Sequence, residues 1–209
     1  MFNLFLLFNA TLDNNSKLWY NINMNGYDFD DTIYYGNSMR RFYFFCALRL
    51  PYLFLFVPVI TVAVVLRTLR ILDKNKYLFM LEWFIACVPH AERYAVKFWD
   101  KNMNRIKPWY LEQKRDSDVI VSASPYFLIN EACKRLGVVC IATNLDTRAR
   151  LHGKHCHGNV KVEMYRQRFG DQPLEAFYSD SRSDTPMMQY AEHGYFVKGD
   201  EITLLFKNQ

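Results

Sequence analysis

Residues 27–36 read YDFDDTIYYG. Asp28 and Asp30 stand two apart at the end of an apolar run, and Asp31 and Thr32 follow directly. In an extended strand, residues two apart point to the same side, so this spacing predicts two carboxylates facing one pocket. Like charges that close repel, and burying them is costly unless something neutralises them. A bound cation would do so; a solvated turn would avoid the cost instead. Asp180, in the run LEAFYSDSRSD, ends a second strand-like stretch and can join the first pair, with Asp184 starting the helix that follows. Carboxylate sites with room for water suit Mg²⁺, which prefers oxygen ligands and keeps several waters. Ser122 closes the run VIVS and can donate a hydrogen bond to a phosphoryl oxygen. Lys161 can offset the charge of a carboxylate–phosphate pair.

The elements that must position these residues read as α/β. A strand is expected at 27–30, a helix at 38–48 with Ser38 as its N-cap, and helical segments over 73–85, 89–101 and 108–115. After Arg115 the pattern changes. Short β-branched runs at 119–121, 138–143 and 174–180 alternate with helices at 125–136, 161–169 and after Asp184. A hairpin turns around 198–200. Strands alternating with helices predict a Rossmann-like parallel sheet with helices on both faces. Active residues of such sheets gather at the carboxyl ends of the strands, where Asp28/Asp30, Ser122/Ser124 and Asp180/Asp184 fall. Ser124 and Pro125 read as the start of a helix, and Asp31 as a turn residue.

The chain of 209 residues is 51% hydrophobic, with a mean hydropathy of −0.16. That excludes a disordered chain and a polytopic membrane protein. Its five cysteines lack CxxC spacing, which suits a reducing cytoplasm. The opening MFNLFLLF is apolar but lacks a basic flank and is short for a signal peptide, so 1–23 reads as an extension outside the core. Charge is uneven: 39–115 holds 14 Lys/Arg against 5 Asp/Glu inside an acidic frame. This suggests an inserted unit facing something anionic. HGKHCHG at 152–158 gathers three histidines and a cysteine in one loop, with no second cluster to complete a zinc tetrahedron. It reads as the loop leading to Lys161.

In order, DFDDT, the serine of VIVS, the lone Lys161 and the DSRSD run resemble the four motifs of the haloacid dehalogenase-like hydrolases, over 27–195. The resemblance implies a nucleophile at Asp28, a general acid/base at Asp30, phosphate binding by Ser122 and Thr32, and charge compensation by Lys161. It implies a Mg²⁺ site from Asp28, Asp30, Asp180 and Asp184. The family commonly has Gly where this chain has Asp31, so a side chain fits there only if it points to solvent.

The resemblance also divides the chain: a catalytic core at 24–36 and 116–209, and a helical cap at 37–115 like that of the phosphoserine phosphatase branch. The apolar run at 50–66, SASP, CHGNVKV and YSDSRSDTPMM are similar to the bacterial phosphatidylglycerophosphatase C enzymes, which implies a phosphorylated lipid head group as substrate. Independently, 50–66 is uncharged and just long enough to span a bilayer. Pro51 and Pro58 favour a bent or re-entrant contact over a straight span, and Arg49, Arg67 and Arg70 flank it. The expectation is an enzyme at the cytoplasmic face of an anionic membrane. The alternatives are a soluble small-molecule phosphatase, with the run buried in the cap, and a non-enzymatic protein that binds lipid or nucleic acid. No nucleic-acid motif is present, and no nucleic-acid partner is expected.

Overall fold

The computed structural model describes residues 24–208 apart from 74–75, 77–79 and 81. The expected extension at 1–23 lies outside the described residues, as does much of the helical pattern over 73–85. Six strands form one sheet: β1 Asn25–Tyr27, β2 Val119–Pro125, β3 Val139–Thr143, β4 Ala176–Ser179, β5 His193–Lys198 and β6 Glu201–Lys207. Their order is β3-β2-β1-β4-β5-β6. All neighbours are parallel except β5 and β6, which form the hairpin turning at Gly199 and Asp200.

The period of two is visible on β2. Ile120 packs into one core cluster, while Val119 and Val121 pack into the other. The first cluster takes α5 (Tyr126–Leu136) through Leu128, Ile129 and Ala132; the second takes α6 (Asn159–Phe169) through Tyr165 and α7 (Thr185–Tyr190) through Met187 and Met188. Apolar runs on the central strands are therefore covered on both faces, as a parallel sheet requires. Gly194 makes one such contact possible, since a Cβ there would stand 2.7 Å from Met188 Cβ.

Between β1 and β2 lies the helical insertion. It contains α1 (Ser38–Ala47), a 3₁₀ turn at Pro51–Phe56, α2 (Val57–Thr68), a 3₁₀ turn at Trp83–Cys87, α3 (Ala91–Asn102) and α4 (Pro108–Gln113). Trp99 of α3 ties the insertion to the turn after β1 and to α5. It is fully buried, stands edge-on to Phe29 at 5.5 Å, and donates from Nε1 to the Leu128 carbonyl at 2.7 Å. The two strands of chain that enter and leave the insertion pair with each other. Tyr34 bridges Ile106, Tyr35 donates to the Arg105 carbonyl, and Lys107 donates to the Ile33 carbonyl.

The 50–66 run is not cap core. From Pro51 to Thr68 the chain forms 18 continuous helical residues, long and apolar enough to cross a membrane, yet only 11% of that window is buried. Leu53 and Ala63 face inward, whereas Leu55, Val62, Val64 and Val65 are exposed. Pro51 opens the 3₁₀ turn and Pro58 sits in the first turn of α2, where a missing N–H costs nothing.

Candidate active site

β1 is short. It ends at Tyr27, so Asp28 and Asp30 lie in the turn beyond it rather than on the strand. The two carboxylates have different partners. Register nevertheless brings the expected strand ends together. Tyr27 pairs with Ile120 on one side and Tyr178 on the other. Asp28, Ser122 and Asp180 consequently leave the same, carboxyl-terminal edge of the sheet.

Asp28 faces Lys161. The Lys161 Nζ lies 2.9 Å from Asp28 Oδ1 and 2.6 Å from Asp184 Oδ2. Lys161 enters on the first turn of α6, after Gly158 (φ 59°), and is 1% exposed. Burial opposes its charge, but Asp28 and Asp184 more than offset this and hold the ammonium above its usual range. Burial pushes Asp28 the other way, up to about 7, against the pull of Lys161 and helped by Asp184. Ser179 Oγ also donates to Asp184 Oδ2 at 2.8 Å.

Asp30 is clamped on the opposite side of the turn. Its Oδ1 accepts the Ser38 N–H at 2.6 Å and its Oδ2 accepts the Ser124 hydroxyl at 2.5 Å. Burial raises its pKa despite these bonds. Both Asp30 oxygens already accept protein donors, which is not the open pair expected of a metal ligand, though each keeps a second lone pair. Ser38 is not the N-cap either. Asn37 takes that role, accepting from the Arg40 N–H at 2.8 Å, and frees the Ser38 N–H for Asp30.

Thr32 differs from expectation in the same manner. Its hydroxyl donates to Asp180 Oδ1 at 3.1 Å and accepts the Asp180 N–H at 2.9 Å. It therefore orients Asp180 instead of facing a phosphate. Burial raises the Asp180 pKa and Thr32 partly offsets it. Ser122 is buried on β2, at the start of the irregular stretch that ends the strand, and its Oγ accepts the Ser124 N–H at 3.2 Å. β2 runs on through Ser124 to Pro125, and the helix starts at Tyr126, so Ser124 is a strand residue holding Asp30 rather than a helix start. Asp31 has φ 56° and is exposed. A left-handed residue explains a family preference for Gly, and the solvent-facing side chain explains why Asp is accommodated.

Ser124, Ser38, Ser179 and Thr143 were not singled out by sequence as supporting groups. Thr143 donates to the Ala123 carbonyl and accepts the Cys156 N–H, joining β2, β3 and the loop before Lys161. The histidines of that loop disperse: His152 lies 3.1 Å from Asp146, and His155 lies 3.9 Å from Glu82.

The fit of a divalent cation can be tested on the residues themselves. Among the described residues, no three His, Cys, Asp or Glu side chains stand close enough to form a complete protein cage. Mg²⁺ does not need one, since it is held by one or two carboxylates plus water and phosphate. Asp184 Oδ1 is buried without a hydrogen-bond partner, and Asp28 and Asp180 are both raised by burial. The unpartnered Asp184 Oδ1 and the Asp180 carboxylate are oxygen donors of the kind a hard cation takes while keeping most of its water, and Asp28 beside them is already paired with Lys161.

A doubly wound sheet with a buried Asp–Lys–Asp chain at its carboxyl edge, and a helical insertion after the first strand, defines an α/β protein with a carboxylate–lysine centre. The profile of the haloacid dehalogenase-like hydrolases matches residues 26–189, and the chain belongs to that family. No curated protein matches the chain. Among solved structures, a protein of unknown function from Bordetella pertussis Tohama I is similar over 82% of this chain and 88% of its own, with a TM-score of 0.69 at 14% identity. A phosphoserine phosphohydrolase-like protein from Francisella tularensis subsp. tularensis SCHU S4 covers 83% and 86%, with a TM-score of 0.54 at 13% identity. A phosphoserine phosphatase, as an analogue of its phospho-aspartyl intermediate, covers 82% and 84%, with a TM-score of 0.52 at 13% identity. The chain shares its fold with these structures.

Proposed function

We propose that the protein is a Mg²⁺-dependent phosphomonoester hydrolase working through an aspartyl-phosphate on Asp28. The observation that carries this reading is the buried contact of Lys161 with both Asp28 and Asp184 at the sheet edge. An Asp28 oxygen bonds to phosphorus as the bond to the leaving oxygen breaks. Asp30, whose raised pKa favours the protonated form, gives its proton to that leaving oxygen. Asp30 then takes a proton from water, whose oxygen attacks phosphorus, releasing inorganic phosphate and free Asp28. Lys161 holds its charge beside Asp28 throughout. The Ser122 hydroxyl binds a phosphoryl oxygen. Held by Asp28, Asp180 and Asp184, Mg²⁺ would neutralise phosphoryl oxygens in the bound substrate.

The proposed substrate is a lipid head-group phosphate, of the phosphatidylglycerophosphate kind, met at the cytoplasmic face of an anionic membrane. Support comes from the exposed apolar side chains of the Pro51–Thr68 helical stretch. Exposed apolar patches of this kind mark interaction surfaces. Arg49, Arg67 and Arg70 are exposed at its ends, where each basic residue near an anionic leaflet adds about 1 kcal/mol. A second reading, a soluble small-molecule phosphatase, draws on the shared fold of phosphoserine phosphatase. A panel of a phosphatidylglycerophosphate lipid, O-phosphoserine and p-nitrophenyl phosphate, each with Mg²⁺ and with EDTA, separates them. Lipid preference supports the first; equal or better turnover of O-phosphoserine supports the second; no turnover with Mg²⁺ contradicts both.

A further inference from the structure

Among the described residues, Lys107 and Lys161 are the buried lysines. Lys161 lies between two carboxylates. Lys107 Nζ instead donates to two backbone carbonyls, that of Asp31 at 2.7 Å and that of Gly199. A carbonyl carries no net charge, so these bonds offset only part of the cost of burying an ammonium. The carboxylates of Asp200, Asp31 and Asp180 favour its charge, while burial opposes it.

The bonds of Lys107 join three segments. Lys107 itself stands where the chain leaves the insertion. Its N–H is fixed on the Ile33 carbonyl at 2.8 Å, and its carbonyl accepts the Tyr110 N–H at the start of α4. Gly199 lies in the turn of the β5–β6 hairpin. A second bond docks the same turn: the Tyr35 hydroxyl donates to Asp200 Oδ1 at 2.8 Å, and Lys107 Nζ lies 5.4 Å from the centre of the Tyr35 ring. Asp31 stands between Asp30, the proposed acid, and Thr32, which orients Asp180.

At Asp31 this tie has a specific task. Its φ is 56°, a left-handed conformation that is costly for a residue with a Cβ and persists only where the surroundings hold it. The Gly36 carbonyl holds its N–H at 3.1 Å, and Lys107 holds its carbonyl. A bond from an ammonium is roughly twice as strong as one between neutral groups. We infer that Lys107 is a positioning residue for the catalytic turn. By joining the Asp31 carbonyl to the hairpin, it keeps the left-handed peptide, and with it Asp30 and Thr32, in the geometry that hydrolysis uses. The kinetic consequence rests on the phosphomonoesterase reading; the held turn does not.

The test sets wild type against Lys107→Met in two measurements: hydrogen exchange by mass spectrometry, and p-nitrophenyl phosphate turnover with Mg²⁺. Exchange over 28–36 should quicken about tenfold or more while 119–136 stays near wild type. kcat should fall about tenfold with KM within about twofold, because Ser122 and Lys161 still hold the phosphoryl group. Adding Asp31→Gly should recover much of both losses, since Gly takes a positive φ without strain. Adding Asp31→Ala removes the same charge but keeps a Cβ, and should recover neither. Unchanged exchange over 28–36, unchanged kcat, no recovery with Gly, or equal recovery with Ala overturns the inference. If Lys107→Met loses its circular dichroism signal, Lys107→Gln, which keeps an N–H donor, replaces it. Loss of fold there too makes Lys107 a general brace and also overturns the inference. If wild type hydrolyses nothing, the phosphatase reading fails, and the exchange comparison alone decides whether Lys107 holds the turn.

Discussion

Thr32 and Asp180 lie 148 positions apart, yet they share two hydrogen bonds: hydroxyl to carboxylate at 3.1 Å and backbone N–H to hydroxyl at 2.9 Å. The first motif thereby fixes the carboxylate of the last. Thr32→Val keeps the shape and removes both bonds, leaving a buried N–H unpaired at a cost of about 1–3 kcal/mol. With Asp180 no longer oriented, Mg²⁺ affinity should fall about 10- to 100-fold. A Mg²⁺ titration of activity together with a melting curve measures both effects.

Ser124 acts through Asp30. Ser124→Ala removes the donor to Asp30 Oδ2, a bond that favours the carboxylate form. The Asp30 pKa should rise further, and the limb of the pH–rate profile assigned to Asp30 should move to higher pH. A profile of unchanged position with lowered amplitude would limit Ser124 to a packing role.

Much of this was legible in the sequence. The β-branched runs VIV and VCI predict strands, β2 inside the sheet and β3 at its edge, and Lys198-Gly199-Asp200 marks the hairpin turn. Asp28 and Asp180 stand out because they close apolar runs, whereas Lys161 and Asp184 stand out only through the order of the four motifs that resemble the family. The roles of Thr32, Ser38 and Ser124 were not legible. A hydroxyl or N–H acquires its function from its partner, and those partners are set by sheet register and by where β1 stops. The strand ends one residue before Asp28, and the turn beyond it gives the two carboxylates separate partners.

The insertion carries its own titratable group. Glu82 is 8% exposed, and burial pushes its pKa from 4.5 up to about 7. The His155 ring at 3.9 Å is too far to hydrogen-bond. A carboxyl raised in the folded state binds its proton more tightly there than when unfolded. Its contribution is therefore fully present below about pH 4.5 and is lost as pH rises through about 7. Glu82→Gln should match wild type at pH 4.5 and be the more stable at pH 8, the gap growing by up to about 1.4 kcal/mol per pH unit within that window. Denaturant unfolding at both pH values gives the comparison. A gap that does not change with pH contradicts it.

For the apolar helix, Leu55, Val62 and Val65 are the informative positions, at 77%, 53% and 50% exposed. Phe56 packs partly into the core and stands 5.5 Å from the Trp83 ring, so its loss would confuse folding with binding. Replacing the three exposed residues by Ser should leave the melting temperature near wild type and shift the protein from anionic vesicles to the supernatant on sedimentation. Salt should release wild type only in part, because screening weakens the arginines but not the apolar contact. Wild type that does not sediment with vesicles argues for the soluble reading.

The central claim is that Asp28 attacks phosphorus. Asp28→Asn is nearly isosteric and removes the anionic oxygen facing Lys161. The most direct measurement is single-turnover hydrolysis of p-nitrophenyl phosphate with Mg²⁺ by wild type and Asp28→Asn, alongside circular dichroism of both. A folded variant should lose about a thousandfold or more in rate, with acid-stable phosphate on the protein found only in wild type. Near-normal turnover by folded Asp28→Asn would contradict the covalent mechanism.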